Sequence, residues 1–576
     1  MNPPLPGAIS VRAVNQYRRR DVLPYLALRY YLASSAARAD DWARQVSADL
    51  VLTRSTPAYL SAIHFKGCDN DGAIEHRHLF LPGANEALAE AALIDECSRH
   101  PLVFCNPSSV FSYELSQSEE RAGIFKPYFG GLQGRHEAIA AACDACPDGI
   151  VCYVDIRRFY PSIDSSLALK VWRENADIGG LSPQYRELGE KLIRDYRNVG
   201  QQWGQGILTG PMFAHLIGNL VLRKIDETSR PARYFRYVDD IVLVGELEAV
   251  EKSLRALHSQ LTDIGLELHD DSSPKSIRVY ASEWLEGRDD FRESRRILSW
   301  KTFMGDRKKF LLLNPDKRED LAMAFRNEDI RIPLLDYSGV IREANYLQRL
   351  QRWIGLPWFR RKANAISLKG LIGQALWLRQ TYKKEFQELV SGIENLQGFA
   401  LKRRIPKLRY RAGRLIYLGS EEDLSLLSSE AAGLNELRFH AEIMAAVSSR
   451  NIDDLLFLGS NAAQAAAQPL RAGNQTVFSS SPNLGETERQ GIAVFLLNGV
   501  SVQRHEPEGE PELIRLARIG ADLELMRSND PFTRELACLH GLTSQPRHSD
   551  TLESAFDEDE PLVLDAIDQM RQSLSL

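Results

Sequence analysis

The stretch Arg236-Tyr237-Val238-Asp239-Asp240-Ile241-Val242-Leu243-Val244 decides the fold. Two adjacent acids interrupt an apolar, β-branched run. Such residues suit a pleated, buried surface, so both flanks read as strand. In a hairpin spanning Arg233 to Gly245 the acids fall at the turn and the flanks bury into a sheet.

A second apolar run lies upstream. Ile150-Val151-Cys152-Tyr153-Val154-Asp155 follows Gly149 and ends in a carboxylate, which reads as a buried strand with an acid at its tip. It continues as Ile156-Arg157-Arg158-Phe159-Tyr160-Pro161-Ser162-Ile163. If the two segments are neighbours in one antiparallel sheet, Asp155, Asp239 and Asp240 converge. Metal-assisted displacement at phosphorus needs that arrangement, because two Mg²⁺ ions about 4 Å apart require several hard oxygen ligands. One carboxylate cannot hold both. Between the segments lies Gly204-Gln205-Gly206-Ile207-Leu208-Thr209-Gly210-Pro211, followed by a helix over Met212 to Asp226. A further helix is expected over Glu251 to Ile264, ended by Gly265.

In order and spacing, these strings resemble motifs A, B and C of reverse transcriptases, whose hallmark is Tyr-x-Asp-Asp. The Phe-Tyr-Pro-Ser-Ile run is similar to retron, abortive-infection and other bacterial defence-associated members. The resemblance covers roughly residues 100 to 310. It implies an α+β right-hand polymerase of fingers, palm and thumb, with an antiparallel palm sheet and an α-helical C-terminal region. It implies two Mg²⁺ ions, with Mn²⁺ as a substitute, on Asp155, Asp239 and Asp240, and Ile156 as a further metal and substrate contact. Motif B fits in two frames, Gln205-Gly206 or Thr209-Gly210-Pro211, the second matching better the spacing to the following helix. Glycines there let a backbone lie against a nucleotide.

Other expected substrate contacts are Tyr237 and Tyr160, the latter as an aromatic wall that clashes with a ribose 2′-hydroxyl and so favours dNTPs. Its bland alternative is a core tyrosine. Leu266-Glu267-Leu268-His269-Asp270-Asp271 leads to Lys275 and resembles motif D, where a lysine protonates the leaving pyrophosphate. Phe303-Met304-Gly305 is a candidate for motif E, and Arg121, Lys126 and Arg135 are candidates for triphosphate binding by the fingers. The resemblance implies an RNA-directed DNA polymerase in antiphage defence, with an RNA template or a noncoding RNA, DNA product and dNTPs as partners. Untemplated or protein-primed DNA synthesis by the same site is the alternative. An RNA-synthesising polymerase and a non-catalytic RNA-binding scaffold are further ones.

The bulk properties fit this reading. The 576 residues are 44% hydrophobic and 26% charged, enough for several domains with ordinary cores. The formal charge is −6, yet residues 341–420 hold 17 Lys/Arg against 4 Asp/Glu. A basic block in an otherwise acidic chain is an address for polyanions. It contains Tyr346, Trp353, Trp358, Phe359, Trp377 and Tyr382, which could stack on bases or fill a core. The expected organisation is an N-terminal and fingers region to residue 148 and a palm over 149–340. A basic helical thumb over 341–458, grading into α-repeats, a linker or long loop over 459–486 and a helical region over 487–576 follow. Seven scattered cysteines, with a lone Cys143-x-x-Cys146, suit free thiols in a reducing cytoplasm rather than zinc. No apolar stretch approaches a membrane span. Self-association into a homo-oligomer stays open.

Overall fold

The computed structural model describes residues 8–17, 28, 39–69, 72–116, 123–126, 128–270, 273, 275–287, 298–334, 366–396, 398–481, 484–504 and 510–542. They form a mixed α+β fold of small sheets with a helical C-terminal region. Helices α1 (Ala8–Tyr17) and α2 (Ala48–Thr53) precede an antiparallel hairpin of β1 (Tyr59–Cys68) and β2 (Ile74–Pro82). Helix α3 (Ala84–Ser98) is buried nearly all round, its alanines allowing neighbours to approach from every side. Helix α4 (Tyr128–Ala145) leads into the central sheet.

That sheet contains β3 (Ile150–Asp155), β4 (Arg233–Tyr237), β5 (Asp240–Gly245) and β6 (Ile277–Tyr280) in the order β4-β5-β3-β6, with every neighbouring pair antiparallel. Between β3 and β4 run α5 (Ser165–Ile178), α6 (Pro183–Gly200) and α7 (Met212–Asp226). Helix α8 (Leu247–Thr262) follows β5, and α9 (Ala281–Glu286) follows β6. Cys152, Val154, Ile241 and Leu243 face the main core. Val151, Val242, Val244 and Val279 face the other way, into a second cluster with Ile139 and Cys143 of α4 and with Trp284 and Phe399. Burial on both faces explains why these strands read as unbroken apolar runs instead of alternating ones.

Helices α10 (Trp300–Leu313) and α11 (Arg318–Asn327) lead to the basic region, where α12 (Leu368–Val390) packs on α13 (Gly398–Leu418). Then come α14 (Glu421–Ala432), started by a Ser420/Asp423 capping box, and α15 (Arg438–Ser449). Helices α16 (Ser460–Ala472), α17 (Glu486–Leu497), α18 (Glu512–Ile519) and α19 (Pro531–Leu542) complete the described chain, with a short parallel pair of β7 (Val477–Ser479) and β8 (Val502–Arg504). The C-terminal helices fold back on the first hairpin. Phe65 N–H donates to Asn461 at 3.0 Å, Gln490 donates to the Ser61 carbonyl at 2.6 Å, and Phe65 stacks on Phe439. No described helix is long and apolar enough to cross a membrane.

The strands at Ile150–Asp155 and on both sides of Val238-Asp239, and the helix Met212–Asp226, stand where the sequence puts them. Two expectations are corrected. The stretch 459–486 is not simply a linker: it contains α16 and β7, because Ala462, Ala463, Ala466 and Ala467 form one buried face of a strong helix-former segment. Phe303-Met304-Gly305 lies inside α10 with Phe303 fully buried, so that string is a core helix turn. Tyr346, Trp353, Trp358, Phe359, Arg121 and Asp271 lie outside the described residues.

Candidate active site

In the ladder between β3 and β5, Asp155 is the direct partner of Asp240, and Tyr237 is the direct partner of Asp240 across the hairpin. The loop is therefore only Val238-Asp239. Val238 has φ +57°, as the first central residue of a primed two-residue turn requires, although a β-branched residue pays steric strain there. Three hydrogen bonds impose it. Val238 N–H donates to Ser112 Oγ at 2.8 Å, the Val238 carbonyl accepts from Arg236 Nη1 at 2.8 Å, and Ile156 N–H donates to the Asp239 carbonyl at 3.1 Å.

Arg236 is wholly buried. Its Nε and Nη2 donate to the two oxygens of Asp226 at 2.8 and 2.7 Å, and Tyr234 Oη adds a bond to Asp226 at 2.8 Å. The last residue of α7 thus anchors the strand that carries the acidic turn. A planar guanidinium on a carboxylate fixes direction as well as distance.

Ligand oxygens of Asp155, Asp239 and Asp240 all lie within 4.8 Å of one another, and this acidic triad could hold a metal ion. The set is hard-oxygen only, which suits Mg²⁺ or Mn²⁺ and not a soft-ligand metal. Electrostatics favour a cation at the triad. Burial, then Asp240 and Asp155, push the Asp239 carboxyl up to about 6. Burial raises Asp240 too, opposed by the Tyr153 hydroxyl, which donates to it, and by Arg135. Three carboxylates this close repel one another unless a cation joins them.

Side-chain cations already stand around the triad. Lys275 Nζ donates to Asp155 Oδ1 at 2.9 Å, and His269 Nε2 lies 3.2 Å from the same oxygen. His269 is held there because its backbone N–H donates to the Asp155 carbonyl at 2.9 Å, and Leu268 bridges Ile156 at the strand tip. Burial, then Lys275, lowers the His269 pKa and favours its neutral form. Arg135 Nη1 stands 3.9 Å from Asp240 Oδ2, with its guanidinium 5.4 Å from the Tyr237 ring centre. Arg77 of β2 and Lys402 of α13 come within electrostatic reach of the carboxylates.

The remaining expected residues are distributed as follows. Tyr160 is 8% exposed, bonds His215 Nδ1 at 2.7 Å, and packs against Gly218, which leaves no room for a Cβ without displacing the rings of Phe159 and Tyr160. Gln205 and Gly206 fold under the segment that follows β3: Gly206 N–H donates to the Pro161 carbonyl at 2.8 Å, and a Cβ there would run into the Ile163 carbonyl. Thr209 and Gly210 pack on β2. The Thr209 carbonyl accepts from Phe80 N–H at 2.8 Å, and Gly210 at φ +125° lies where a Cβ would meet the Phe80 carbonyl at 2.6 Å. Both frames of the Gly-rich segment are therefore demanded by backbone contact. Lys126 forms a surface pair with Glu114. All seven cysteines are free thiols.

His269, Tyr153, Arg77 and Lys402 are the site residues that the sequence did not single out for this role. His269 and Tyr153 sit in quoted strings, six residues before Lys275 and two before Asp155. Arg77 and Lys402 approach from elements that no local pattern links to the triad. No protein-family model matches the chain, and no curated protein gives a significant match.

Proposed function

We propose that the chain is a reverse-transcriptase-type DNA polymerase, which extends a primer with dNTPs on an RNA template and serves antiphage defence. The observation that carries this reading is the register match of Asp155 with Asp240, which gathers three carboxylates at the tip of one antiparallel sheet. In this reading the β3–β6 sheet with α5 to α8 is the palm, the β1–β2 hairpin and α3 belong to the fingers, and α12–α13 take the thumb position.

Asp155, Asp239 and Asp240 would hold Mg²⁺, with Ile156 at the strand tip beside them. When bound, the ions activate the attacking hydroxyl and stabilise the leaving oxygen. The rest of the work belongs to the chain. Ser112, Arg236 and the Ile156 N–H hold the turn so that Asp239 and Asp240 do not reorganise during transfer. Lys275 carries a proton at Nζ, where it can protonate the leaving pyrophosphate once it exchanges Asp155 for it. Arg77, on the hairpin, is a better candidate for triphosphate contact than Lys126, which Glu114 already occupies. Tyr160, oriented by His215, would form the wall against the 2′-hydroxyl.

The test is incorporation of each labelled dNTP by the purified chain in Mg²⁺, with and without RNA template and primer. Synthesis that requires RNA supports templated polymerisation. Synthesis without RNA that survives nuclease and is released by protease favours the protein-primed alternative. Absence of any product contradicts the proposal.

A further inference from the structure

We propose that Asn461 of α16 and Gln490 of α17 are positioning residues: through the β1–β2 hairpin they set where the Gly-rich segment Thr209-Gly210 stands, and with it the binding of the incoming nucleotide. The inference rests on the polymerase reading above and adds the C-terminal helices to the working site. Its starting point is a strand edge. Among the described residues β1 belongs to a two-stranded sheet with β2, so its other side presents a row of backbone groups that no strand pairs. The C-terminal region meets that row at Ser61, Ile63 and Phe65, the alternate residues whose backbone groups point to one side. Gln490 donates to the Ser61 carbonyl at 2.6 Å. Gly459 forms a bridge with His64, so close that a Cβ would come within 2.1 Å of the Ile63 carbonyl. Asn461 accepts from Phe65 N–H at 3.0 Å and donates to the Phe65 carbonyl at 3.4 Å, as a neighbouring strand would.

The other side of the hairpin leads to the Gly-rich segment. Ser61 is the cross-strand partner of Phe80. Phe80 N–H donates to the Thr209 carbonyl at 2.8 Å, and Gly210 at φ +125° lets the Phe80 backbone lie against it. Gln490, Ser61, Phe80 and Thr209 thus link α17 to the Gly-rich segment across a single rung of the hairpin. The start of α3, directly after β2, is tied to the C-terminal helices as well. Glu535 of α19 accepts from Asn85 N–H at 3.1 Å and from Arg54 at 2.9 Å. A two-stranded hairpin is marginally stable alone, so its placement is decided by what grips its edges. Here one edge is gripped by side-chain amides of the C-terminal helices, and Gln490 is buried, where water cannot replace a lost bond. A shift of those helices therefore moves the hairpin, and the hairpin moves Thr209-Gly210.

The experiment uses the full chain. Gln490→Leu and Asn461→Leu remove the amides and keep most of the bulk. Asn461→Asp keeps only the acceptor for Phe65 N–H and serves as the mild variant. Gln464→Leu is the control: it breaks the 3.0 Å bond from Asn498 between α16 and α17, and Gln464 makes no bond to the hairpin. Circular dichroism of each variant checks the fold. One arm reads amide hydrogen exchange of the peptide 59–68 by mass spectrometry. The other reads steady-state primer extension on an RNA template. Both Leu variants should exchange about tenfold faster in that peptide. Their KM for dNTP should rise about fivefold with kcat nearly unchanged. Asn461→Asp should fall between them and wild type, and the control should match wild type in both arms. Unchanged exchange, an unchanged KM, a loss confined to kcat, or the same changes in the control would each overturn the inference and leave the polymerase reading standing. If wild type incorporates nothing, the polymerase reading fails and the nucleotide role with it, while the exchange arm still decides whether the helices hold the hairpin.

Discussion

Arg236 grips Asp226 through two parallel hydrogen bonds of 2.8 and 2.7 Å, with both side chains out of solvent, and spends its third nitrogen on the carbonyl of Val238. This one guanidinium joins the end of α7 to the acidic turn. Removing it strands a buried carboxylate and frees a strained residue. Arg236→Met is expected to destabilise the fold by about 3–5 kcal/mol, measured by urea unfolding. Arg236→Lys should recover only part, because an ammonium cannot reproduce the fork.

The Asp239 carboxyl gives a pH prediction. Its folded value of about 6 lies above the ordinary 3.8 of an unfolded aspartate. Such a group adds stability below the unfolded value and loses it as pH rises through the folded one. The metal-free protein should therefore be penalised above pH 6. Asp239→Asn is expected to raise stability by about 1–2 kcal/mol at pH 7.5 and by little at pH 4. Thermal melts at the two pH values check this. Mg²⁺ should raise the wild-type melting temperature at pH 7.5 and much less at pH 5, where protonated Asp239 competes with it.

Much of this site was legible in the sequence, for a physical reason. Ile150–Asp155 and Ile241–Val244 are buried on both faces, so their strand character needs no distant information, and the acids mark where burial ends. Lys275 could be named from its string alone, yet its bond to Asp155 spans 120 positions and only the fold supplies it. Lys402 was hidden because a run of three cations looks uniform, while packing gives each a different partner. The segment 459–486 misled because alanine, glutamine and serine suit a linker as well as a helix that buries mainly alanines.

Lys275 is expected to act on the leaving group and not on ground-state binding. Lys275→Met should lower kcat about 10²-fold with little change in the KM for dNTP. Steady-state primer extension separates the two constants. Lys275→Arg, which keeps the pair with Asp155 but gives up its proton poorly, should resemble the Met variant in kcat.

Tyr160 combines packing with selection. Tyr160→Phe removes the bond to His215, should cost about 1 kcal/mol, and should leave sugar discrimination nearly intact because the ring remains. Tyr160→Ala should relax the preference for dNTP over NTP by about 10–100-fold. Competition between dGTP and GTP in single-nucleotide extension reads this ratio.

The most direct test of the central claim is nucleotide incorporation by wild type beside Asp239→Ala/Asp240→Ala, both shown folded, in Mg²⁺ and in chelator. The account predicts dNMP addition by wild type in Mg²⁺ alone, and none by the double variant or in chelator. Equal incorporation by the double variant would contradict a catalytic triad of Asp155, Asp239 and Asp240.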